Sequence, residues 1–335
     1  MNKHGFMANA VLSVAMCMYG GASLSAQQAP ASASGIPVHM VVTAEPHHGS
    51  DVPVVNREDV MVFEGKTRDT VTEWIPAQGD RAALELYILL DDGSSDSLGT
   101  QLKEIGQFIN AQPDSAKVGI AYMQNGVAKI VQDLTGDHAQ AAKALRLPMG
   151  MRGTNGSPYF ALTDLIKRWP ASPARREILM ITDGIDLYYG TGDLSDPYLA
   201  EATDNAVRAG IVVSAIYTPG VGHVGHSYWQ TYWGQLYLAQ LAEKTGGEAY
   251  DIGFNGSPVS FDPYLDDLTH RLSHQYLLTF LAKPPKKAGW QPVKLRTEVS
   301  RVDLVSADKV YVSPEGKQRQ FAETGANRSV SPTTV

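Results

Sequence analysis

The run Leu86-Tyr87-Ile88-Leu89-Leu90-Asp91-Asp92-Gly93-Ser94-Ser95 constrains this chain more than any other stretch. A short, wholly apolar segment stops abruptly at carboxylates and hydroxyls. Apolar side chains at both parities predict a strand covered on both faces, as in the middle of a parallel sheet. In open sheets of that kind, ligands bind outside the carboxyl ends of the strands. Asp91 and Ser95 therefore fall where such a fold puts its site. Their oxygens are hard ligands suited to Mg2+, Mn2+ or Ca2+.

Strand and helix patterns alternate from Leu84 to about Gly253. Strands are expected at 85–90, 117–123, 178–182 and 211–217, and Asn125-Gly126 is a hairpin signal. Helical spacing is read at Leu98 to Ile109, Asp137 to Leu147, Pro158 to Trp169, Pro197 to Ala209 and Trp233 to Lys244. Such alternation argues for an α/β fold with a doubly wound, mostly parallel, Rossmann-like sheet and helices on both faces. The flanks differ. Segments 36–80 and 276–312 read as β, with a helix at Tyr264 to His274. The two β segments are expected to pack together as a small accessory unit.

Two later segments extend the first loop. Ile178-Leu179-Met180-Ile181-Thr182-Asp183-Gly184 is a second apolar strand ending in a carboxylate, and Gly153-Thr154-Asn155 precedes a helical stretch. In this combination the sequence resembles the von Willebrand factor A (VWA) family. That family's metal-ion-dependent adhesion site is written Asp-x-Ser-x-Ser, then Thr, then Asp. The matching positions are Asp91, Gly93, Ser95, Thr154 and Asp183, and Gly93 stands where the family has its first Ser. Asn56 to Lys66 resembles the β region ahead of the A domain in bacterial secreted "VWFA-related" proteins, and Leu241 to Gly247 is similar to the family's last helix end. The resemblance covers residues 36–312.

It implies a divalent ion, Mg2+ or else Mn2+ or Ca2+, held by Asp91, Ser95, Thr154 and Asp183, with an open position filled by an acidic side chain of a protein partner. Asp92, Ser94 and Asp96 are further candidates, and a register shifted by one would make them the first loop. The strand's apolar run ends at Leu90, which favours Asp91 as the loop's first residue. The implied function is a secreted adhesion-type binding protein. The alternative is a metal-free structural or assembly module on the same scaffold.

A more remote alternative is an Asp-based phosphotransferase-like enzyme. That chemistry needs a second acid two residues after the first, and Gly93 stands there. No Gly-x-Ser-x-Gly elbow and no complete Gly-x-x-x-x-Gly-Lys-Ser/Thr phosphate-binding loop is present. The chain is therefore expected not to be an enzyme.

The 335 residues allow one large or two modest domains, and the net charge of −7 argues against a nucleic-acid groove. Residues 1–26 have the layout of a cleavable signal peptide, with Lys3 ahead of an apolar stretch and Leu24-Ser25-Ala26 at the end. A periplasmic or extracellular location follows from it. Cys17, the only cysteine, lies inside that segment, so thiol chemistry and disulfides drop out of the mature chain. Met16 is too large to precede a lipidated cysteine. No other segment is apolar enough to be a transmembrane helix.

The expected division is thus a signal peptide at 1–26, a spacer at 27–35, an N-terminal β segment at 36–80, a VWA domain at 81–255, a C-terminal helix and strands at 256–312, and a disordered tail at 313–335. His223 and His226 have zinc-like spacing, but no Cys or Glu nearby completes a set, and the glycines around them read as an exposed loop. His47-His48 lies in a turn without a partner pattern. Tyr228, Trp229, Tyr232, Trp233 and Tyr237 read partly as core and partly as a recognition surface.

Overall fold

Backbone pairing sorts the chain into two sheets of different character. The computed structural model describes residues 35–150, 156–190, 195–220, 227–253 and 258–314. The expected signal peptide, the spacer up to residue 34, Thr154, His223, His226 and the tail beyond residue 314 lie outside the described residues.

The elements run β1 (Ile36–Pro46), β2 (Val60–Glu64), β3 (Thr67–Pro76), β4 (Leu84–Asp91), α1 (Leu102–Asn110), β5 (Ala116–Gln124), β6 (Val127–Thr135), α2 (His138–Lys143), α3 (Pro158–Arg168) and β7 (Arg175–Thr182). They continue with α4 (Pro197–Ala209), β8 (Ile211–Tyr217), α5 (Tyr228–Thr245), β9 (Ala249–Tyr250), α6 (Asp262–Ser273), β10 (Gln275–Ala282), β11 (Gly289–Thr297), β12 (Val302–Val305) and β13 (Lys309–Val312).

One sheet has six strands in the order β6-β5-β4-β7-β8-β9. β4 pairs in parallel with β5 and with β7, and Leu90 stands opposite both Tyr122 and Ile181. Its side chains alternate between two cores. Tyr87 and Leu89 pack towards α3, α4 and α5, while Leu86, Ile88 and Leu90 pack towards α1, α2 and α6. That is why the strand reads as an unbroken apolar run. β6 turns back antiparallel to β5 through Asn125 and Gly126, both at positive φ, the conformation a two-residue hairpin turn requires.

The helices carry local start and stop signals. Asp196 caps α4 by accepting from the N–H groups of Tyr198 and Leu199, Pro197 occupies the first turn, and Gly210 ends the helix in the left-handed region. α2 is shorter than its sequence pattern predicts and stops at Lys143. α5 begins five residues earlier than expected, at Tyr228.

The larger sheet is antiparallel, with seven strands in the order β12-β1-β10-β3-β2-β11-β13. Alternate residues of these strands, among them Val38, Met40, Val42, Trp74, Leu278 and Phe280, form a third core. Trp74 stacks on Tyr276 with ring centroids 4.3 Å apart, and its Nε1 donates to the Val55 carbonyl at 2.9 Å.

This corrects the expected fold class. The molecule is not a mostly parallel, doubly wound Rossmann-like sheet with a small β appendage, because its largest sheet is antiparallel and the six-stranded one is mixed. The flanking segments carry more pairing than their alternation indicated. β1 alone has 11 residues and pairs with β10 from Ile36↔Ala282 to Thr43↔Gln275.

A buried polar network joins the sheets. Arg175 at the start of β7 donates to the Leu272 carbonyl at 3.0 Å, to the Ala82 carbonyl at 3.2 Å and to the Gln275 side chain. Gln275 in turn donates to Glu177 at 2.8 Å. At the far side, the Arg208 guanidinium lies 4.0 Å from the Tyr311 ring centroid, and Lys309 pairs with Asp204 at 2.6 Å.

Candidate functional site

The parallel pairing of β4 with β7 brings two carboxylates to one edge of the mixed sheet. Asp91 is the last residue of β4 and is buried. Its Oδ1 accepts from the Gly93 N–H and its Oδ2 from the Thr182 hydroxyl, both at 2.8 Å. Asp183 follows β7, is fully buried, and accepts from the Ile185 N–H at 2.9 Å. Both carboxylates therefore also hold the backbone turns that follow their strands.

The other candidates divide sharply. Ser94 is fully buried, and its hydroxyl has no hydrogen-bond partner among the described residues. Its backbone N–H donates to the Asp91 carbonyl, and the residue bridges Gly220 beyond β8. Ser95 caps the short 3-10 turn Asp96–Thr100 by accepting from the Ser97 N–H at 3.3 Å, and its own N–H donates to the Pro219 carbonyl. Asp96 is exposed. Asp91, Asp92, Ser94, Ser95 and Asp183 thus share one sheet edge, and Thr154 is outside the described residues. Among the described residues, no group of three or more His, Cys, Asp or Glu is arranged to hold a metal ion.

Asp92 is taken up by a neighbour that the sequence did not flag. The Arg146 guanidinium grips it with both terminal nitrogens, at 2.6 and 2.9 Å. The Met149 N–H adds a bond at 3.0 Å, and the Gln124 amide adds another. Burial pushes this carboxyl up, but the bonds from Arg146, Gln124 and Met149 outweigh it and hold the group below the usual carboxylate range. Its acceptor capacity is spent on a clamp between the first loop and the segment 146–149.

A second acidic pair lies in the same region. Asp186 is fully buried, and accepts from the Ser157 hydroxyl at 2.7 Å and from the N–H groups of Tyr188 and Tyr189. Asp196 stands beside it. Burial first, and the neighbouring Asp186 carboxylate in addition, push the Asp196 carboxyl up against the pull of its two capping N–H groups. Single carboxylates in irregular loops carry no pattern that sequence reasoning could have used.

α5 lies directly under the Asp183 turn. A Cβ built at Gly234 would fall on the Asp183 carbonyl oxygen, with Ile185 Cγ1 at 2.9 Å. Gly184, at φ +70, faces Gly234 from the other side. Gly234→Ala is therefore expected to cost about 1–3 kcal/mol, the range for overpacking a filled interior. A urea midpoint unchanged from wild type would show that the contact yields freely.

The aromatic candidates also separate. Tyr237 is buried, Trp233 packs against the core, and Tyr228, Trp229 and Tyr232 stand exposed in mutual ring contact on the first turns of α5.

No protein-family model matches the chain, and no curated protein matches it. Solved structures similar to it include the VWA domain of SpRpn10, at 12% identity and TM-score 0.33, covering 56% of this chain and 94% of that one. An aerotolerance-related membrane protein from Bacteroides fragilis, with multiple mutations to serines, matches at 14% identity and TM-score 0.40, covering 57% and 98%. Three N-terminal domains of the type V pili tip protein Mfa5 from Porphyromonas gingivalis match at 9% identity and TM-score 0.40, covering 84% and 67%. Likenesses this weak assign the chain neither a family nor a function. No helix among the described residues is long and apolar enough to cross a membrane.

Proposed function

We propose that this chain is an exported, non-enzymatic binding module of VWA type that recognises a protein partner at the sheet edge carrying Asp91 and Asp183. Residues 81–255 are the binding region, framed by 36–80 and 256–312. The observation that carries this reading is the pair of buried carboxylates at the carboxyl ends of adjacent parallel strands, with the Ser94 hydroxyl, unpartnered among the described residues, in the same loop. A buried hydroxyl without a partner is costly unless something supplies one. The donor set of carboxylates and hydroxyls fits a hard divalent cation such as Mg2+, Mn2+ or Ca2+.

Asp91, Ser95, Thr154 and Asp183 would hold the ion, with Ser94 as the hydroxyl nearest to replacing the one absent at Gly93. A bound ion supplies a positive centre for an acidic side chain of the partner. Asp92 belongs to the supporting clamp, since Arg146 and Met149 already use its oxygens. Export rests on residues 1–26 and on the lone cysteine within them.

The second reading is a metal-free assembly module. It draws support from the hydrogen bonds that Asp91 already accepts from Thr182 and Gly93. Calorimetric titration with Mg2+, Mn2+ and Ca2+ separates the two. The expected result is saturable binding that disappears in Asp183→Ala while the thermal transition persists. No heat from any of the three ions at millimolar concentration would leave only the metal-free module.

A further inference from the structure

Two histidines, His270 and His274, meet at a place far along the chain from the Asp91 loop. His270 lies in the last turn of α6 and His274 is the residue that caps it, four positions later, so their side chains come together at the helix end. Their ring centroids are 4.3 Å apart, with planes inclined by 33°. The turn carrying His47 and His48 lies against them, because His270 Nε2 bonds the Ser50 carbonyl at 2.7 Å. His47 is engaged elsewhere, facing Asp303 at 3.2 Å.

Each ring of the α6 pair has one nitrogen fixed by a backbone acceptor. For His270 it is Nε2, on the Ser50 carbonyl. For His274 it is Nδ1, on the His270 carbonyl at 2.8 Å. A carbonyl only accepts, and the Ser273 hydroxyl, 3.0 Å from His274 Nδ1, gives its one proton to the same His270 carbonyl at 2.7 Å, so this arrangement puts the ring protons on His270 Nε2 and His274 Nδ1. The remaining nitrogens, His270 Nδ1 and His274 Nε2, are then lone-pair donors in the neutral rings. A carbonyl fixing the tautomer and orientation of the imidazole is the usual arrangement behind a metal-ligating histidine. A shared ion with metal–nitrogen bonds of about 2.0–2.1 Å is compatible with ring centroids 4.3 Å apart.

The surroundings favour a cation. The cleft beside His270 is lined by Glu45, Asp266, Asp267 and Arg271, three carboxylates against one guanidinium. A concave surface dominated by one sign of charge concentrates the opposite ion.

We infer that His270 and His274 form a two-imidazole site for a borderline divalent transition metal, Cu2+ first and Zn2+ or Ni2+ more weakly, with water completing the coordination. Imidazole selects these ions over Mg2+, Mn2+ and Ca2+, and the Irving–Williams order places Cu2+ at the top. The site is separate from the one proposed at Asp91 and Asp183, in residues and in ligand class.

The test is titration of the purified chain with CuCl2 and with ZnCl2 in a non-chelating buffer. Saturable 1:1 Cu2+ binding is expected, with weaker Zn2+ binding. A partner behind a metal ligand is worth about 10–100-fold in affinity, so His270→Ala and His274→Ala should each cost at least tenfold. His138→Ala and Asp183→Ala should leave Cu2+ binding unchanged, the latter even if it abolishes binding of hard ions. An electron paramagnetic resonance spectrum of the wild-type complex gives a reading that needs no substitution, and coupling to two imidazole nitrogens is expected. Absence of saturable Cu2+ binding, retention of full affinity in both histidine variants, or coupling to a single nitrogen would overturn the inference.

Discussion

Arg146→Met should destabilise the protein by about 3 kcal/mol, near the lower end of the 3–5 kcal/mol seen when one partner of a buried ion pair is removed. The two partners are unequally placed. Asp92 is fully buried, whereas about a third of the Arg146 side chain is exposed. Deleting the guanidinium therefore strands a carboxylate in the interior, while the charge removed was partly wet. The Gln124 amide and the Met149 N–H remain as donors and limit the loss. Methionine keeps apolar cover over the Tyr122 ring, whose centroid lies 3.8 Å from the guanidinium carbon.

The pair can be checked by a double-mutant cycle in urea. Asp92→Asn in the Arg146→Met background is expected to recover part of the loss, because it removes the stranded charge. If Arg146→Met unfolds at the wild-type midpoint, Asp92 is not held by this clamp and returns as a candidate ligand.

Stability should also fall as the pH rises from about 4.5 to 7, through Glu177. This side chain sits at the joint of the two sheets, where burial pushes its carboxyl from 4.5 to about 7. Gln275 donates to it, and Arg175 and Arg271 act on it as positive charges, but none of these outweighs the burial. Because the folded value is raised, the native state holds a proton that the unfolded chain has lost. Stability from this group is complete below the unfolded value and is lost as the pH passes the folded one.

With 1.36 kcal/mol per unit, the interval is worth on the order of 3 kcal/mol. Glu177→Gln mimics the protonated form and should flatten that part of the profile, gaining most over wild type above pH 7. Asp69, pushed up to about 6 by burial and by Glu64, tilts the curve the same way. The diagnostic is therefore the difference between wild type and Glu177→Gln, measured from pH 4 to 8. A constant difference across that range would mean that folding does not raise the Glu177 carboxyl.

What could be read from the sequence was local. The run ending at Asp91 showed its burial on both faces, because alternate residues feed two separate cores. Asn125-Gly126 showed its turn, because two successive positive φ values demand such residues. The seven-stranded sheet was not legible in the same way. Period-two alternation identifies a half-covered strand but not its partner, and β1 pairs with a strand more than 200 residues later. The first loop had the same limit. Asp91 and Asp92 are adjacent carboxylates with identical local context, yet one meets Thr182 and the other Arg146. Those partners arrive from 91 and 54 residues away.

The order of strands in the antiparallel sheet also fixes when it can be built. β1 and β3 are made early, but they do not touch each other; β10 lies between them and pairs with both. The six-stranded sheet and its helices are threaded into the chain between β3 and β10. An N-terminal portion emerging from a ribosome or a translocation pore therefore carries two strands with open edges until residue 275 and those after it arrive. Such distant pairings are slow to form, since a long loop must close first. The inserted α/β layer, made of neighbouring strands, has its contacts available sooner. Premature truncation before β10 would release a chain whose mixed sheet can close while β1 and β3 stay exposed to pairing with other chains.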